Sequence, residues 1–217
     1  MNGFVFDMDG VLLDSIHIWH EAEQQILDQA GLELTKEQRD QLNALTLVEA
    51  GEWFHKEFGV FESGEQVALS ITDYMLEFYS TRVQAKPGAF EFVRAIHEAG
   101  LPLCVLSSSP QSFIQAGLGH AQLKQFFKDD LVISAEDSGM KKRSPETFHR
   151  ICEILGTDPV CTWLFDDSWY ALATAHDVGL RCVGVFSSDG CGTHEELARY
   201  SELVADDFST FNVRDFL

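Results

Sequence analysis

Phe4-Val5-Phe6 is a short apolar run cut off by Asp7. So short a run, bounded by Gly3 and a carboxylate, reads as a buried strand. Its counterparts come late: Leu103–Leu106, Leu131–Ile133, Thr162–Phe165 and Cys182–Val185. All are apolar on both faces, the pattern of parallel strands covered by helices on each side. Helical spacing fills the gaps between them. Phe90, Val93, Ala95, Ile96 and Ala99 stop at Gly100-Leu101-Pro102, while Phe148, Ile151, Ile154 and Leu155 follow Pro145 and end at Gly156. Alternation over residues 83–217, joined to the strand at the start, predicts an α/β fold with a parallel sheet and helices on both faces.

Residues 15–82 break the alternation. Trp19, Ala22, Ile26, Leu27 and Ala30 have helical spacing, as do Val67, Ile71, Tyr74, Met75 and Phe78, with a further helical stretch near Leu45 to Phe58. The segment therefore reads as an all-helical insertion, with junctions near Asp14-Ser15 and between Arg82 and Gly88. Because strand one and Asp7 precede it while the other strands follow it, the insertion leaves the core at the carboxyl end of strand one. Open α/β sheets bind ligands at that edge, so the insertion is expected to act as a lid.

Charge narrows the partners. With 35 acidic against 15 basic residues the net charge is −20, and the resulting field repels polyanions, so neither nucleic acid nor an anionic membrane is expected as a partner. A phosphate would have to be bound locally. Met1-Asn2-Gly3-Phe4 has no basic n-region, and no apolar run approaches the roughly 20 residues that span a bilayer. The expectation is a soluble, cytoplasmic protein. Five cysteines, an odd number with no C-x-x-C pair, argue against a disulfide framework and against a zinc site. Four read as small buried hydrophobes; Cys191, between Gly190 and Gly192, reads as exposed.

Four features fall at predicted strand ends. Asp7-Met8-Asp9-Gly10 places two carboxylates two residues apart, so that one can attack while the other handles protons, and either can help hold a cation. Ser107-Ser108-Ser109 offers hydroxyls and backbone N–H groups ahead of a helix, which suits a phosphate or, equally, a plain helix N-cap. Lys141-Lys142-Arg143-Ser144-Pro145 is a cationic cluster in a chain with few cations. Asp166-Asp167-Ser168 ends another strand with adjacent carboxylates, whose repulsion a hard divalent cation would relieve.

These four features together resemble the haloacid-dehalogenase superfamily, in its subfamily IA phosphatase and β-phosphoglucomutase-like branch, over nearly the whole chain. Asp7-Met8-Asp9-Gly10-Val11 matches the first motif, Ser107 the second, Lys142 with Pro145-Glu146 the third, and Asp166-Asp167-Ser168 the fourth. Lys141 is the competing choice for the third motif; the K-x-x-P-E spacing favours Lys142. The resemblance implies a Rossmann-like core of residues 1–14 and 83–217, an inserted helical cap of the C1 type over 15–82, and a Mg²⁺-dependent aspartyl-phosphate mechanism acting on a small phosphorylated metabolite. By the same resemblance Asp7 is the nucleophile, Asp9 the general acid and base, and Ser107, Ser108 and Lys142 the phosphoryl ligands. Mg²⁺ is expected on Asp7, the Asp9 carbonyl and Asp167, with Asp166 supporting that shell.

Asp9 also separates reactions, since dehalogenating members of the family lack the carboxylate two residues after the nucleophile. A hexose-phosphate mutase of the β-phosphoglucomutase type must grip a second phosphate, but residues 15–82 carry four basic residues (Lys36, Arg39, Lys56, Arg82) against thirteen acidic ones. Hydrolysis is therefore favoured. A phosphonate hydrolase would need a cap lysine, and nothing in the context of Lys36 or Lys56 marks one. A binding protein without turnover would not need both Asp7 and Asp9. Trp19 and Trp53 read as cap core, with lining of the substrate pocket as the alternative, His17 and His20 as solvent or cap-hinge residues, His176 as structural, and Trp169 as either core or a residue over the site.

Overall fold

The computed structural model describes residues 1–42 and 45–217, with all of their side chains except those of Gln29, Lys36, Arg39 and Asp40. Two of the four cationic side chains counted in the insertion, Lys36 and Arg39, thus lie outside the described set. The chain forms two compact units, one of Met1–Ile16 with Arg82–Leu217 and one of His17–Thr81.

The first unit contains the strands β1 (Gly3–Phe6), β2 (Leu13–Asp14), β3 (Gln84–Ala85), β4 (Leu103–Ser107), β5 (Val132–Ser134), β6 (Thr162–Asp166), β7 (Arg181–Val185) and β8 (Leu203–Ala205). Six of them make one parallel sheet in the order β5-β4-β1-β6-β7-β8. β1 is central: Phe6 lies beside Val105 of β4 and Phe165 of β6. The chain runs outward from β1 through β4 to β5, then returns to β1's other side as β6, so the sheet order reverses at β1. Such a reversal opens a crevice at the carboxyl ends of the strands. β2 and β3 form a separate antiparallel ribbon, Leu13 opposite Ala85 and Asp14 opposite Gln84. Through this ribbon the chain leaves the unit and re-enters it.

The second unit is helical: α1 (Ile16–Ala30), which begins in the first unit, α2 (Lys36–Leu42), α3 (Leu47–Phe58) and α4 (Gly64–Thr81). Thr46 and Glu49 form a reciprocal capping box that starts α3, and Gly59 ends it in the left-handed region at φ 65°. Ala22, Ile26 and Leu27 of α1 are buried together with Ile18; Trp19 is half-buried and Ala30 exposed. Trp53 is half-buried against Phe54 and Phe58.

Helices α5 (Ala89–Glu98), α6 (Gln111–His120), α7 (Ala135–Ser138), α8 (Pro145–Leu155), α9 (Trp169–Val178) and α10 (His194–Ala198) belong to the first unit. The period-2 alternation of the strands splits their side chains between two faces. Val5, Cys104, Leu106, Leu164 and Cys182 pack against Phe148, Ile151 and Leu155 of α8 and Ala171, Leu172 and Ala175 of α9. The opposite face is aromatic. Phe6 stacks on Phe165 at 4.8 Å, and both meet Phe92 of α5 and Phe208, while Phe211 and Phe216 close over Phe165. Each ring pair adds about 0.5–1.5 kcal/mol beyond its buried area, so this face is a rigid floor for the residues at its upper edge. The buried stripe of α5 is Ala89, Phe92, Val93 and Ile96; Ala99 is exposed, as the C-cap beyond the last helical residue.

Candidate active site

Three adjacent strands deliver the candidate side chains to one edge. Asp7 follows β1, and its N–H still donates to Phe165 O at 2.9 Å, as if the strand ran one residue further. Ser107 ends β4 and Asp166 ends β6. Asp167 and Ser168 turn from β6 into α9. Lys142 arrives from the loop before α8, a helix started by Pro145 at its first position and ended by Gly156.

Asp7, Asp9, Ser107, Lys142, Asp166 and Asp167 are all buried. Lys142 Nζ lies 2.8 Å from Asp7 Oδ1 and 2.7 Å from Asp166 Oδ2. Lys141 is exposed, and its backbone N–H and carbonyl are both engaged by the Thr147 hydroxyl; of the two adjacent lysines, Lys142 is the one at the carboxylates. Asp166 is fully engaged, with Oδ1 accepting the Ser168 N–H at 2.9 Å and Oδ2 accepting Lys142. Asp167 is not. Its Oδ1 accepts the Ser168 hydroxyl at 3.1 Å, while Oδ2 is buried with no hydrogen-bond partner among the described residues.

Asp9 is held by hydroxyl groups. Its Oδ1 accepts the Ser15 hydroxyl and its Oδ2 the Ser109 hydroxyl, each at 2.6 Å. Ser107 Oγ accepts the Ser109 N–H at 3.1 Å, and Ser108 is exposed. None of the three serines caps the following helix, whose N-cap is Pro110 without a side-chain bond. The N-cap alternative for this run is therefore excluded. Sequence reasoning missed Ser15 and Ser109 as partners of Asp9; only the tertiary meeting of two loops reveals them.

Burial dominates the electrostatics. It pushes the Asp7 carboxyl well above the usual carboxylate range; Lys142 opposes the rise, and Asp166, Asp167 and Asp9 reinforce it. Burial, reinforced by Asp166, likewise pushes Asp167 up to about 7. Burial works against the Lys142 ammonium, but Asp166 and Asp7 outweigh it and hold the lysine above its ordinary value. Lys142 is thus paired with two carboxylates and has a third, Asp167, beside them, with Lys86 acting on Asp167 as well, a local deficit of positive charge.

Carboxylate oxygens of Asp7, Asp166 and Asp167 lie within 4.8 Å of one another. Around the orphaned Asp167 Oδ2 the backbone leaves room: a Cβ on Gly10, which holds φ +73°, would come within 2.9 Å of it, and one on Gly190 within 2.6 Å. A buried, unpartnered oxygen in an all-oxygen cluster, bordered by two residues without side chains, fits a small hard cation.

Trp169 is exposed and lies edge-on to Tyr170, so it is not core. Arg143 lies over the Tyr170 ring at 3.8 Å. Cys104, Cys152 and Cys182 are buried, Cys161 is half-buried and Cys191 exposed, all as free thiols. His176 is exposed beside Asp177, and Lys56 is exposed. Among the described residues, no helix is long and apolar enough to cross a membrane.

The chain is similar to known proteins. The chain is 25% identical over 183 residues to hexitol phosphatase B of Escherichia coli K12, covering 83% of this chain and 82% of the relative. It is 24% identical over 204 residues to the validoxylamine A 7′-phosphate phosphatase of Streptomyces hygroscopicus subsp. limoneus, covering 93% and 92%. The crystal structure of CbbY from Rhodobacter sphaeroides in complex with phosphate superposes with a TM-score of 0.77 at 19% identity, over 97% of this chain and 96% of that one, a likeness of fold. Residues 1–179 match the family model of the haloacid dehalogenase-like hydrolases, and the chain belongs to that family.

Proposed function

We propose that the protein is a Mg²⁺-dependent phosphatase that hydrolyses a small phosphorylated metabolite through an aspartyl-phosphate. The observation that carries the reading is the different engagement of two buried carboxylates two residues apart: Asp7 beside Lys142 and the acidic cluster, Asp9 between two hydroxyls. A nucleophile and a proton carrier need such different surroundings. The phosphatase names of the sequence relatives support the same class.

Asp7 attacks the phosphorus while Asp9 passes its proton to the leaving oxygen as the P–O bond breaks. A water then attacks the same phosphorus and gives its proton to Asp9, the Asp7–phosphorus link opens, and phosphate leaves with both carboxyl groups restored. Ser107, Ser108 and Lys142 hold the phosphoryl oxygens, and Lys142 also lessens the repulsion between Asp7 and an anionic substrate. Mg²⁺ would be held by Asp7, Asp167 and the Asp9 carbonyl, with Asp166 behind them, and would neutralise charge on the phosphoryl group. Residues 15–82 serve as the cap that selects the substrate, and their acidity favours hydrolysis over a mutase that must hold a second phosphate. The free thiols are consistent with a reducing, cytoplasmic setting.

The test is phosphate release from p-nitrophenyl phosphate. Chelator should remove it, Mg²⁺ should restore it, and Asp7→Asn should lower it below a few per cent with the fold intact. Full activity in chelator, or substantial activity of Asp7→Asn free of deamidation, would refute the mechanism. With β-glucose 1-phosphate and catalytic bisphosphate, isomerisation outrunning phosphate release would make the protein a mutase.

A further inference from the structure

Ser109 belongs to none of the roles so far assigned, yet it is buried and its hydroxyl is committed to Asp9. We propose that Ser109 is the positioning residue for the acid–base carboxyl of Asp9, an inference that rests on the reading of Asp9 given above. The contact joins residues a hundred positions apart in the chain, at 2.6 Å. Ser109 is itself fixed at both ends of its backbone. Its N–H donates to Ser107 Oγ at 3.1 Å, and its carbonyl accepts the hydroxyl of Ser134, the last residue of β5, at 2.8 Å.

Two consequences follow from this wiring. The turn that presents the Ser107 hydroxyl also presents the Ser109 hydroxyl, so one rigid loop sets the spacing between the phosphoryl position and the proton carrier. A hydroxyl is also the group that can hold Asp9 throughout a cycle: it donates to the carboxylate and, by rotating, accepts from the protonated acid. An ammonium or amide donor would favour the ionised form alone. Proton transfer demands heavy-atom placement within hydrogen-bond reach of the leaving oxygen, about 2.6–3.2 Å, so a carboxyl left with the Ser15 hydroxyl alone, on its other oxygen, loses much of its benefit as an acid.

The experiment compares kcat/KM for phenyl phosphate and p-nitrophenyl phosphate, two substrates of similar shape whose leaving groups differ in their need for a proton. General acid catalysis contributes about 10²–10⁴-fold, and loss of positioning should forfeit part of that for the poorer leaving group. Ser109→Ala is expected to lower the phenyl to p-nitrophenyl ratio about tenfold, and Ser109→Thr, which keeps the hydroxyl, to restore it to within threefold. A Ser109→Ala enzyme whose two rates fall equally, or a folded Ser109→Thr enzyme that behaves like the alanine variant, would overturn the proposal. Should the alanine variant unfold, Ser109→Cys gives the same comparison with a similar volume and a poor donor, and an unchanged ratio there overturns it too. Asp9→Asn separates the two levels. If it leaves the ratio unchanged, the acid–base reading of Asp9 fails and takes the proposal with it. If it collapses the ratio while Ser109→Ala does not, Ser109 alone is wrongly assigned.

Discussion

Asp167→Asn should stabilise the metal-free protein while abolishing its response to Mg²⁺. In the fold, burial and Asp166 raise Asp167 from the ordinary 3.8 to about 7. A carboxyl raised in this way binds a proton more tightly folded than unfolded. Its penalty is therefore absent below pH 3.8, grows as pH rises through the interval, and is complete above about 7. One pKa unit is about 1.4 kcal/mol, so linkage gives a penalty of about 4 kcal/mol at pH 8 and about 2 kcal/mol at pH 5. The amide carries no charge, but its new N–H lacks an assured acceptor, which costs about 1–2 kcal/mol. The net gain is about 2–3 kcal/mol at pH 8 and close to nothing at pH 5. For a chain of this length that is a rise in melting temperature of about 4–12 °C at pH 8. Thermal unfolding in chelator at the two pH values reads it directly. Mg²⁺ at a hundred times its dissociation constant should add about 2.7 kcal/mol to the natural protein and almost nothing to the variant. A variant less stable than the natural protein in chelator at pH 8 would refute the electrostatic account, because Asp167 would then be stabilising its surroundings and not straining them.

Two further outcomes follow from the same cluster. Lys142→Met leaves Asp7 and Asp166 buried without their shared cation, and urea unfolding in chelator at pH 7.5 should show a loss of about 3–5 kcal/mol; a loss below about 1 kcal/mol would contradict the charge deficit described above. Gly190→Ala sets a Cβ within 2.6 Å of Asp167 Oδ2, so half-saturation by Mg²⁺, followed by calorimetry, should rise at least about tenfold, and unaltered metal affinity would show that this oxygen is not a ligand.

The central strands and the residues at their ends were legible because each is a local signal: an apolar run, then a carboxylate or hydroxyl. The choice of Lys142 over Lys141 came from the resemblance, through the K-x-x-P-E spacing to Pro145 and Glu146, and Lys142 is the lysine at the carboxylates. Ser15 and Ser109 were not legible. A serine hydroxyl offers no periodicity, and its partner here is set by the crossing of two loops. β2 and β3 are two residues each, too short for any alternation to show. Phe208 and Phe211 lie in irregular backbone and Phe216 in a four-residue 3-10 helix, so their role in closing the aromatic face had no pattern to announce it. In α5 the abundance of apolar residues blurred the phase, and Phe92, the residue that meets Phe4, Phe6 and Phe165, went unread.

The β2–β3 ribbon makes the core tolerant of what is spliced into it. Asp14 and Gln84 are paired neighbours, so the excursion between them begins and ends within one strand spacing, about 5 Å. Closing a loop over so short a gap depends only weakly on its length: each doubling costs about 0.6 kcal/mol, and replacing the excursion by a tight turn would shift that cost by only about 2–3 kcal/mol. The sheet order, which is set by β1 and its neighbours, asks nothing of the excursion. A lineage can therefore exchange, shorten or enlarge its helical segment at this seam while Asp7, Lys142 and Asp167 keep their places, and a protein engineer can graft one there for the same reason.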